Sequence, residues 1–425
     1  MEFAEFILEH DGDDLGRLAL ARDRYVREVE DFDLALTTLE VRRKLRFKVP
    51  QWYAVPSLQY PLLLSAEQCS STETAFYKAA VAACAFGATK RAKTPQNVSF
   101  IAQMVKEMRK NGVFCVNRCP MRVADLTGGM GVDSLAFSQV ADEVLYNEMQ
   151  PALAASARHN FRELGVDNVK VSCREIIPGN VADIMDGFGP DVIFMDPARR
   201  ASDGRKVFRL EDCQPNVLGL LPELFEAAPL VLLKLSPMAD ISLAVKQLGH
   251  VREVHVVASG GECKELLLIL ERGYQGEYST VIYENGSVME VGTEGDVLKP
   301  MATLCPDGLL FEPGKALLKA GAFELPCRYG LTKLGKHTHL YVGDAVPEEL
   351  RPFGKCFEIL EVVPLNNKTI KEIAKQYPCA SVTARNIPLT SDQLRKKLGV
   401  KDGGTVHIFG VHIDAMDGNY LVMVK

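Results

Sequence analysis

Val123-Ala-Asp-Leu-Thr-Gly-Gly-Met-Gly-Val-Asp-Ser134 decides the reading of this chain. Met121 to Ala124 in front of it read as a short buried strand, and Asp133 to Val140 begin a helical pattern. Strand, glycine-rich turn and helix let backbone come close to a ligand, because Gly129 and Gly131 carry no Cβ and tolerate unusual dihedrals. A dinucleotide turn wants Gly-x-Gly-x-x-Gly, with a pyrophosphate on the helix N-terminus. Counted from Gly129, that spacing demands glycine at Ser134, and it is absent. Asp125 leads instead, four residues before Gly129 and six before Gly131. A carboxylate there would repel a pyrophosphate.

This pattern resembles motif I of the class I S-adenosylmethionine methyltransferases, with Thr127 where a first glycine often stands. The downstream residues carry the resemblance further. Glu143 to Tyr146 read as a second strand ending at Asn147-Glu148. Glu148 stands about twenty residues past the turn, where a βαβ unit puts the acid that grips a ribose diol. One carboxylate accepts two hydroxyl hydrogen bonds, and charge-assisted bonds are the stronger kind. The plain alternative is a solvent-facing acid before the helix Ala152 to Leu164. Asn168 to Val171 read as a third strand, and in the resembling family a polar residue after it caps the adenine amine; Glu175 fits by spacing. A helix N-terminal acid is the other reading of Glu175.

Asp191-Val-Ile-Phe-Met195 is a strongly apolar strand, buried on both faces by pattern, that stops at Asp196-Pro-Ala-Arg-Arg200. These residues resemble motif IV, written Asp/Asn-Pro-Pro-aromatic in methyltransferases acting on exocyclic amines. Pro197 fixes φ and removes a donor, so that the Asp196 carboxylate and nearby carbonyls face a planar base. Ala198 and Arg199 depart from the amine pattern. Asp-Pro-x-Arg also resembles the uracil-C5 enzymes, which add a cysteine nucleophile after a later strand. Here that strand is Leu230 to Leu235, followed by Ser236-Pro-Met238, and no cysteine stands there. Lys234 within it reads either as a snorkelling strand-end residue or as a group in the cleft beside Asp196. Val251 to Ala258 and Leu266 to Leu270 read as the last two strands. Strands alternating with helices and ending in an antiparallel pair describe a doubly wound α/β sheet.

The whole chain has 425 residues, 47% hydrophobic and 24% charged, which is ordinary globular composition with room for two to four domains. The formal net charge of −6 excludes a protein that simply coats nucleic acid. Eleven cysteines are scattered; Cys115 and Cys119 come nearest a metal pair, without a second pair to complete a site. Scattered thiols and an acidic N-terminus without a signal-like apolar stretch fit a cytoplasmic protein. No apolar run approaches the roughly 18 residues of a membrane helix.

Residues 1–112 read as a helical region. Leu15 to Leu39 have helical periodicity, and Val41-Arg-Arg-Lys-Leu-Arg-Phe-Lys48 is the strongest basic run. With Trp52 and Tyr53 it reads as an RNA-facing surface or as a solvated helix face ending at Pro50. Ser70-Ser-Thr-Glu73 looks like a capping box opening a helix from Thr74 to Phe86; Lys90-Arg-Ala-Lys93 is a second basic patch, and Phe100 to Lys110 a further helix. Residues 113–275 form the expected methyltransferase domain. Beyond them, short strands and turns such as Glu284-Asn-Gly-Ser and Thr293-Glu-Gly-Asp imply a small ferredoxin-like α/β insert, 276–345. His337 and His339 share a strand face there, without further ligands nearby.

The tail, 352–425, alternates strands and helices. From Leu331 to Lys425 there are 13 Lys+Arg against 10 Asp+Glu, a local +3. Arg385-Asn386 and Arg395-Lys-Lys397 offer phosphate contacts. Tail and turn together resemble a family of bacterial methyltransferases with a C-terminal THUMP-like domain, most specifically at Asp125 to Ser134, Asp196 to Arg200 and Ser381 to Asn386. The resemblance covers nearly the whole chain. It implies a Rossmann-like seven-stranded class I methyltransferase sheet, a helical N-terminal region and small α+β C-terminal domains. It implies S-adenosylmethionine held by Asp125, Thr127, Gly129, Gly131, Glu148 and Glu175, no metal, and transfer to a base in rRNA or tRNA. Asp196, Pro197, Arg199 and Lys234 would carry the chemistry. The turn also looks like that of small-subunit rRNA guanine methyltransferases, which favours an exocyclic guanine amine. A protein or small-molecule acceptor, or a non-catalytic RNA-binding protein, stays open.

Overall fold

The computed structural model describes residues 1–90, 101–106, 119–199, 209–292 and 308–425. Arg91 and Lys93 of the second basic patch, Cys115, Arg200 and the turn at Thr293-Glu-Gly-Asp lie outside them, as does part of the helix expected over Phe100 to Lys110. The chain divides into two compact units: Met1–His255 with Glu265–Ser279, and Val256–Lys264 with Thr280–Lys425.

The first unit is built on a sheet of β1 (Cys119–Asp125), β2 (Ala141–Asn147), β3 (Val169–Ser172), β4 (Val192–Met195), β5 (Leu230–Leu235), β6 (Val251–Ser259) and β7 (Glu262–Glu271). Their spatial order is β6-β7-β5-β4-β1-β2-β3. β1 is parallel to β2 and β4, and β4 to β5, while β7 runs antiparallel to β5 with Leu230 opposite Glu271. This is the doubly wound sheet with a reversed last strand that the sequence predicts. Val192 to Met195 are all buried, as strands covered by helices on both faces require. On one face, the helix Pro151–Glu163 opens with Pro151, whose fixed φ suits a first turn. Its Ala154, Ala157 and Phe161 pack on Tyr146. The chain leaves β1 for β2 on one side and reaches β4 on the other. The C-terminal ends of β1 and β4 therefore diverge and open a crevice.

The N-terminal region departs from the expected continuous periodicity. Leu15–Leu20, Arg22–Tyr25 and α1 (Phe32–Lys48) are separate helices, because Asp14 and Asp31 each cap a new start by accepting from Arg17 N–H and Leu34 N–H. Part of the basic run is engaged within the fold, while Arg43, Lys44 and Arg46 stay exposed. Arg42 is buried and reaches Asp11 and the Val55 carbonyl; Lys44 pairs with Glu67; Lys48 donates to the Ala66 and Glu67 carbonyls. Trp52 is wholly buried, and the Tyr53 hydroxyl donates to Asp11. The helix α2 (Thr72–Lys90) starts two residues earlier than expected. Its capping oxygen is Ser71, which accepts from Thr74 N–H, and Ser70 is left for another task.

In the second unit, β8 (Ser279–Glu284) pairs with β9 (Ser287–Val291) through the Asn285-Gly286 turn; Asn285 has φ +51° and Gly286 +77°, the left-handed pair of a tight hairpin. A seven-stranded sheet follows: β10 (Leu309–Pro313), β11 (Thr332–Lys333), β12 (Tyr341–Gly343), β13 (Gly354–Pro364), β14 (Ser381–Arg385), β15 (His407–Ile413) and β16 (Gly418–Val424). Its order is β11-β12-β10-β13-β16-β15-β14. The eleven-residue β13 joins two halves. Gly354 to Glu358 pair with β10, and Ile359 to Pro364 pair with β16. Period-two alternation sorts the core: Phe409, Val422 and Val424 face Leu310, Leu334 and Leu340, whereas Ile408, Leu421 and Met423 face the helices Asn367–Gln376 and Ser391–Leu398. His339 stacks on Phe323 at 3.9 Å between centroids, and no group of three metal-ligating side chains forms among the described residues.

Truncation after residue 351 removes β13 and strips β10 of that partner. The remaining part of the second unit is expected to lose its fold. Limited proteolysis should cleave within residues 308–351 of the truncated chain and spare them in the full chain.

Candidate active site

The crevice at the ends of β1 to β4 is a cleft lined from four directions. Leu126 to Met130 follow β1, Glu148 to Gln150 follow β2, Arg174 and Ile176 follow β3, and Asp196 and Ala198 follow β4. Ser65 and Gln68 to Ser70 of the N-terminal region close one wall, and Asp133 stands beside them.

The turn is held by its own carboxylate. Asp125 is fully buried; its side chain accepts from Thr127 N–H at 3.2 Å and from the Ser134 hydroxyl at 2.5 Å. It does not line the cleft. Burial pushes its pKa up to about 8, with the Ser134 hydrogen bond opposing the rise and the Asp133 charge adding to it. Gly129 and Gly131 have φ +54° and +90°. A Cβ on Gly131 would stand 2.8 Å from the Phe161 ring, and one on Gly128 would stand 2.2 Å from the Tyr146 ring. Gly128 and Gly129 line the cleft; Gly131 lies behind it and starts α3 (Val132–Ser138).

Glu148 is buried yet lines the cleft. One carboxylate oxygen accepts from Gly129 N–H and the other from Gln150 N–H, both at 2.9 Å. A carboxylate offers about four acceptor directions, so two remain for a pair of ligand hydroxyls. Glu175 is exposed and outside the lining, which its neighbours Arg174 and Ile176 supply instead.

Thr127 ties the first motif to the second. Its hydroxyl accepts from Asp196 N–H at 2.7 Å, fixing the end of β4 against the turn. The Asp196 carboxylate, 30% exposed, meets Lys234 Nζ at 2.5 Å across β4 and β5. Lys234 therefore points to the cleft-side carboxylate rather than snorkelling away. Its burial works against the charge, but Asp196 and Glu265 outweigh it and hold its pKa above the ordinary lysine value. Pro197 is buried; Ala198 and Arg199 form a short ladder with Cys213–Gln214, and Gln214 and Pro215 complete the far wall.

Sequence reading missed the group on the near wall. Lys78 of α2 is wholly buried and reaches Ser70 Oγ at 2.7 Å, Asp133 at 3.0 Å and Glu265 at 3.1 Å. Ser70 in turn donates to Asp133 at 2.8 Å. The one local signal was a lysine inside the alanine-rich run Lys78 to Ala85, where a charge has no apolar reason to be.

Comparisons with known proteins bear on the fold. Residues 354–424 match a family model described as THUMP domain-like, and residues 309–350 match a ferredoxin-like domain. The crystal structure of a Porphyromonas gingivalis W83 protein, provisionally named a methyltransferase, superposes with TM-score 0.78 at 28% identity, covering 100% of this chain and 97% of that one. The fold is that of a class I methyltransferase followed by a THUMP-like domain. Two proteins of Mycobacterium tuberculosis strains, described as uncharacterized S-adenosylmethionine-dependent methyltransferases, are 28% identical over 285 residues, or 66% of this chain and 74% of theirs. No helix among the described residues is long and apolar enough to cross a membrane.

Two outcomes follow for the turn. Asp125 has a folded pKa near 8 against 3.8 unfolded, so the folded state binds its proton more tightly. That contribution favours folding fully at pH below the unfolded value and is lost as pH rises through the folded one. The melting temperature of Asp125→Asn, measured from pH 5 to pH 8, should therefore gain steadily on that of the unaltered protein. Gly131→Ala should destabilise by about 1–3 kcal/mol, since it strains φ and crowds Phe161; an unchanged melting temperature would contradict the turn geometry.

Proposed function

We propose that this protein is a cytoplasmic S-adenosylmethionine-dependent methyltransferase acting on a base in rRNA or tRNA, with an exocyclic guanine amine as the favoured acceptor. The observation that carries the reading is the placement of the Asp196 carboxylate at the mouth of a cleft whose walls suit this cofactor. Among the described residues, Glu148, Asp133 and Asp196 line it against Arg174. That excess of carboxylate would repel a polyphosphate and accommodates a ligand with a sulfonium and an ammonium. The Glu148 oxygens have directions left for a ribose diol. Met149, Leu153 and Ile176 offer apolar surface to an adenine.

The bound cofactor supplies an electrophilic methyl group on sulfur, and the chain's own residues do the positioning. Thr127 fixes the Asp196 backbone, and Lys234 fixes its carboxylate. An acceptor N–H donated to Asp196 turns the nitrogen lone pair toward the methyl. Holding two reactants in line removes most of the entropy of their encounter, the largest contribution open to a methyl transfer.

RNA as acceptor rests on the THUMP-like match and on exposed lysines. Arg385 is spent on Glu312 at 2.7 Å, Asn386 donates to Thr338, and Arg395 pairs with Asp392 and Asp402. The exposed basic groups include Lys368, Lys371 and Lys375, which share one helix face by spacing, and Lys396 and Lys397 on the neighbouring helix. They would offer contacts to a phosphate backbone on an otherwise acidic chain.

The test is transfer of labelled methyl from S-adenosylmethionine to total RNA of a strain lacking this gene. Asp196→Ala should lower transfer by about 10²-fold or more while cofactor binding persists. Label in protein or in small molecules instead of RNA would replace the acceptor. Full activity of Asp196→Ala would refute its role.

A further inference from the structure

The buried group on the near wall has a charge imbalance that points into the cleft. Lys78 has three N–H donors, which go to Ser70 Oγ and to both Glu265 oxygens, and its ammonium stands 3.0 Å from Asp133 Oδ1 as an ion pair. One ammonium thus lies between two carboxylates. The second ammonium nearby, Lys234, is matched by Asp196. Burying two acids on one ammonium is costly unless further donors complete them. Besides Asp196, the group's charged member on the cleft wall among the described residues is Asp133, whose side chain is 12% exposed. Its Oδ2 accepts from Ser70 at 2.8 Å, while its Oδ1, 3.0 Å from the Lys78 ammonium, is buried and has no hydrogen-bond partner among the described residues.

We propose that Asp133 is the ligand of the cofactor's α-ammonium group, and that Ser70 and Lys78 are positioning residues that aim it. The inference rests on the methyltransferase reading above. Of the cofactor's two cationic groups only the ammonium donates hydrogen bonds, and a carboxylate held by Ser70 and Lys78 is suited to a donor. Placement agrees. Glu148 accepts from Gly129 N–H within the turn, Asp133 follows the turn at the start of α3, and both line the cleft, so a ligand with its ribose on Glu148 has Asp133 in the same cleft for its amino-acid end. The N-terminal helical region is then part of the cofactor site, through Ser70 and Lys78, and not a cover for the sheet alone.

Calorimetric titration of the full-length protein tests this with three probes: S-adenosylmethionine, S-adenosylhomocysteine and 5′-methylthioadenosine, which has no amino-acid end. Asp133→Asn should weaken the first two alike, by about tenfold or more, and leave the third unchanged. Ser70→Ala, which keeps the charge, should show the same selectivity at smaller size. Equal loss of all three probes in a variant that melts like the unaltered protein would overturn the assignment. So would a loss confined to S-adenosylmethionine, which would place Asp133 at the sulfonium. Should Asp133→Asn fold poorly, the Ser70→Ala pattern decides: unchanged binding of the first two probes overturns the proposal. If the unaltered protein binds none of the three, the methyltransferase reading fails first and the proposal falls with it.

Discussion

The hydrogen bond from Asp196 N–H to the Thr127 hydroxyl joins two strand ends that the chain brings together from 69 residues apart. Everything at the cleft depends on it. β1 and β4 are neighbours in the sheet, yet their C-terminal extensions turn toward different partners. Without a side-chain tie, the glycine turn and the Asp-Pro segment would have no fixed relation. A threonine supplies it where a glycine could not. The substitution that looks like a departure from the glycine-rich pattern thus has a structural use, because one hydroxyl accepts from a backbone donor that the end of β4 leaves unpaired. Above it, Asp125 holds the turn from behind, and Glu148 binds the Gly129 and Gln150 amides from the side. The turn is clamped by two carboxylates, one buried for structure and one half-turned to the ligand.

The near wall shows a different principle. Burying Lys78 completely, with Glu265 and most of Asp133, carries a desolvation cost that ion pairing only partly returns. Apolar side chains of similar volume would have made a cheaper contact between α2 and the sheet. What the charged contact adds is orientation. A methionine or leucine at residue 78 would pack equally well in several rotamers, whereas three directed hydrogen bonds allow one arrangement. The N-terminal helices are docked by a polar lock beside the cleft, with apolar packing around it.

Much of this architecture was legible because the relevant signals are local. The alternation of short apolar runs with helical stretches named the doubly wound sheet, and the ends of those runs named Asp125, Glu148 and Asp196 as neighbours. Lys234 was visible as a charge in an apolar strand, but only the register of β4 against β5 decides its direction. The basic run in α1 could not be apportioned from its sequence, because arginine and lysine stems reach inward as readily as outward: Arg42 turns in to the partly exposed Asp11, while Arg43, Lys44 and Arg46 stay exposed. The periodicity from Leu15 to Leu39 concealed two helix starts, because Asp14 and Asp31 sit where a charged face also wants acids. Lys78, Ser70 and Asp133 were illegible as a group, since their partnership spans elements that no pattern in the sequence links. Arg385 and Arg395 likewise read as phosphate ligands until their carboxylate partners were in view.

The long strand β13 has a consequence for how this chain can vary. The ferredoxin-like and THUMP-like segments each match their own family model, yet the boundary between them falls inside a shared hydrogen-bonding ladder. Modules that meet in a linker can be shuffled, duplicated or lost one at a time. Modules that meet along one strand cannot, because cutting at residue 353 leaves two raw sheet edges and two half-covered apolar faces. For inheritance and for engineering, residues 308–425 are one piece. A graft of the THUMP-like part into another protein has to carry the ferredoxin-like part with it, and natural relatives that keep one are expected to keep both.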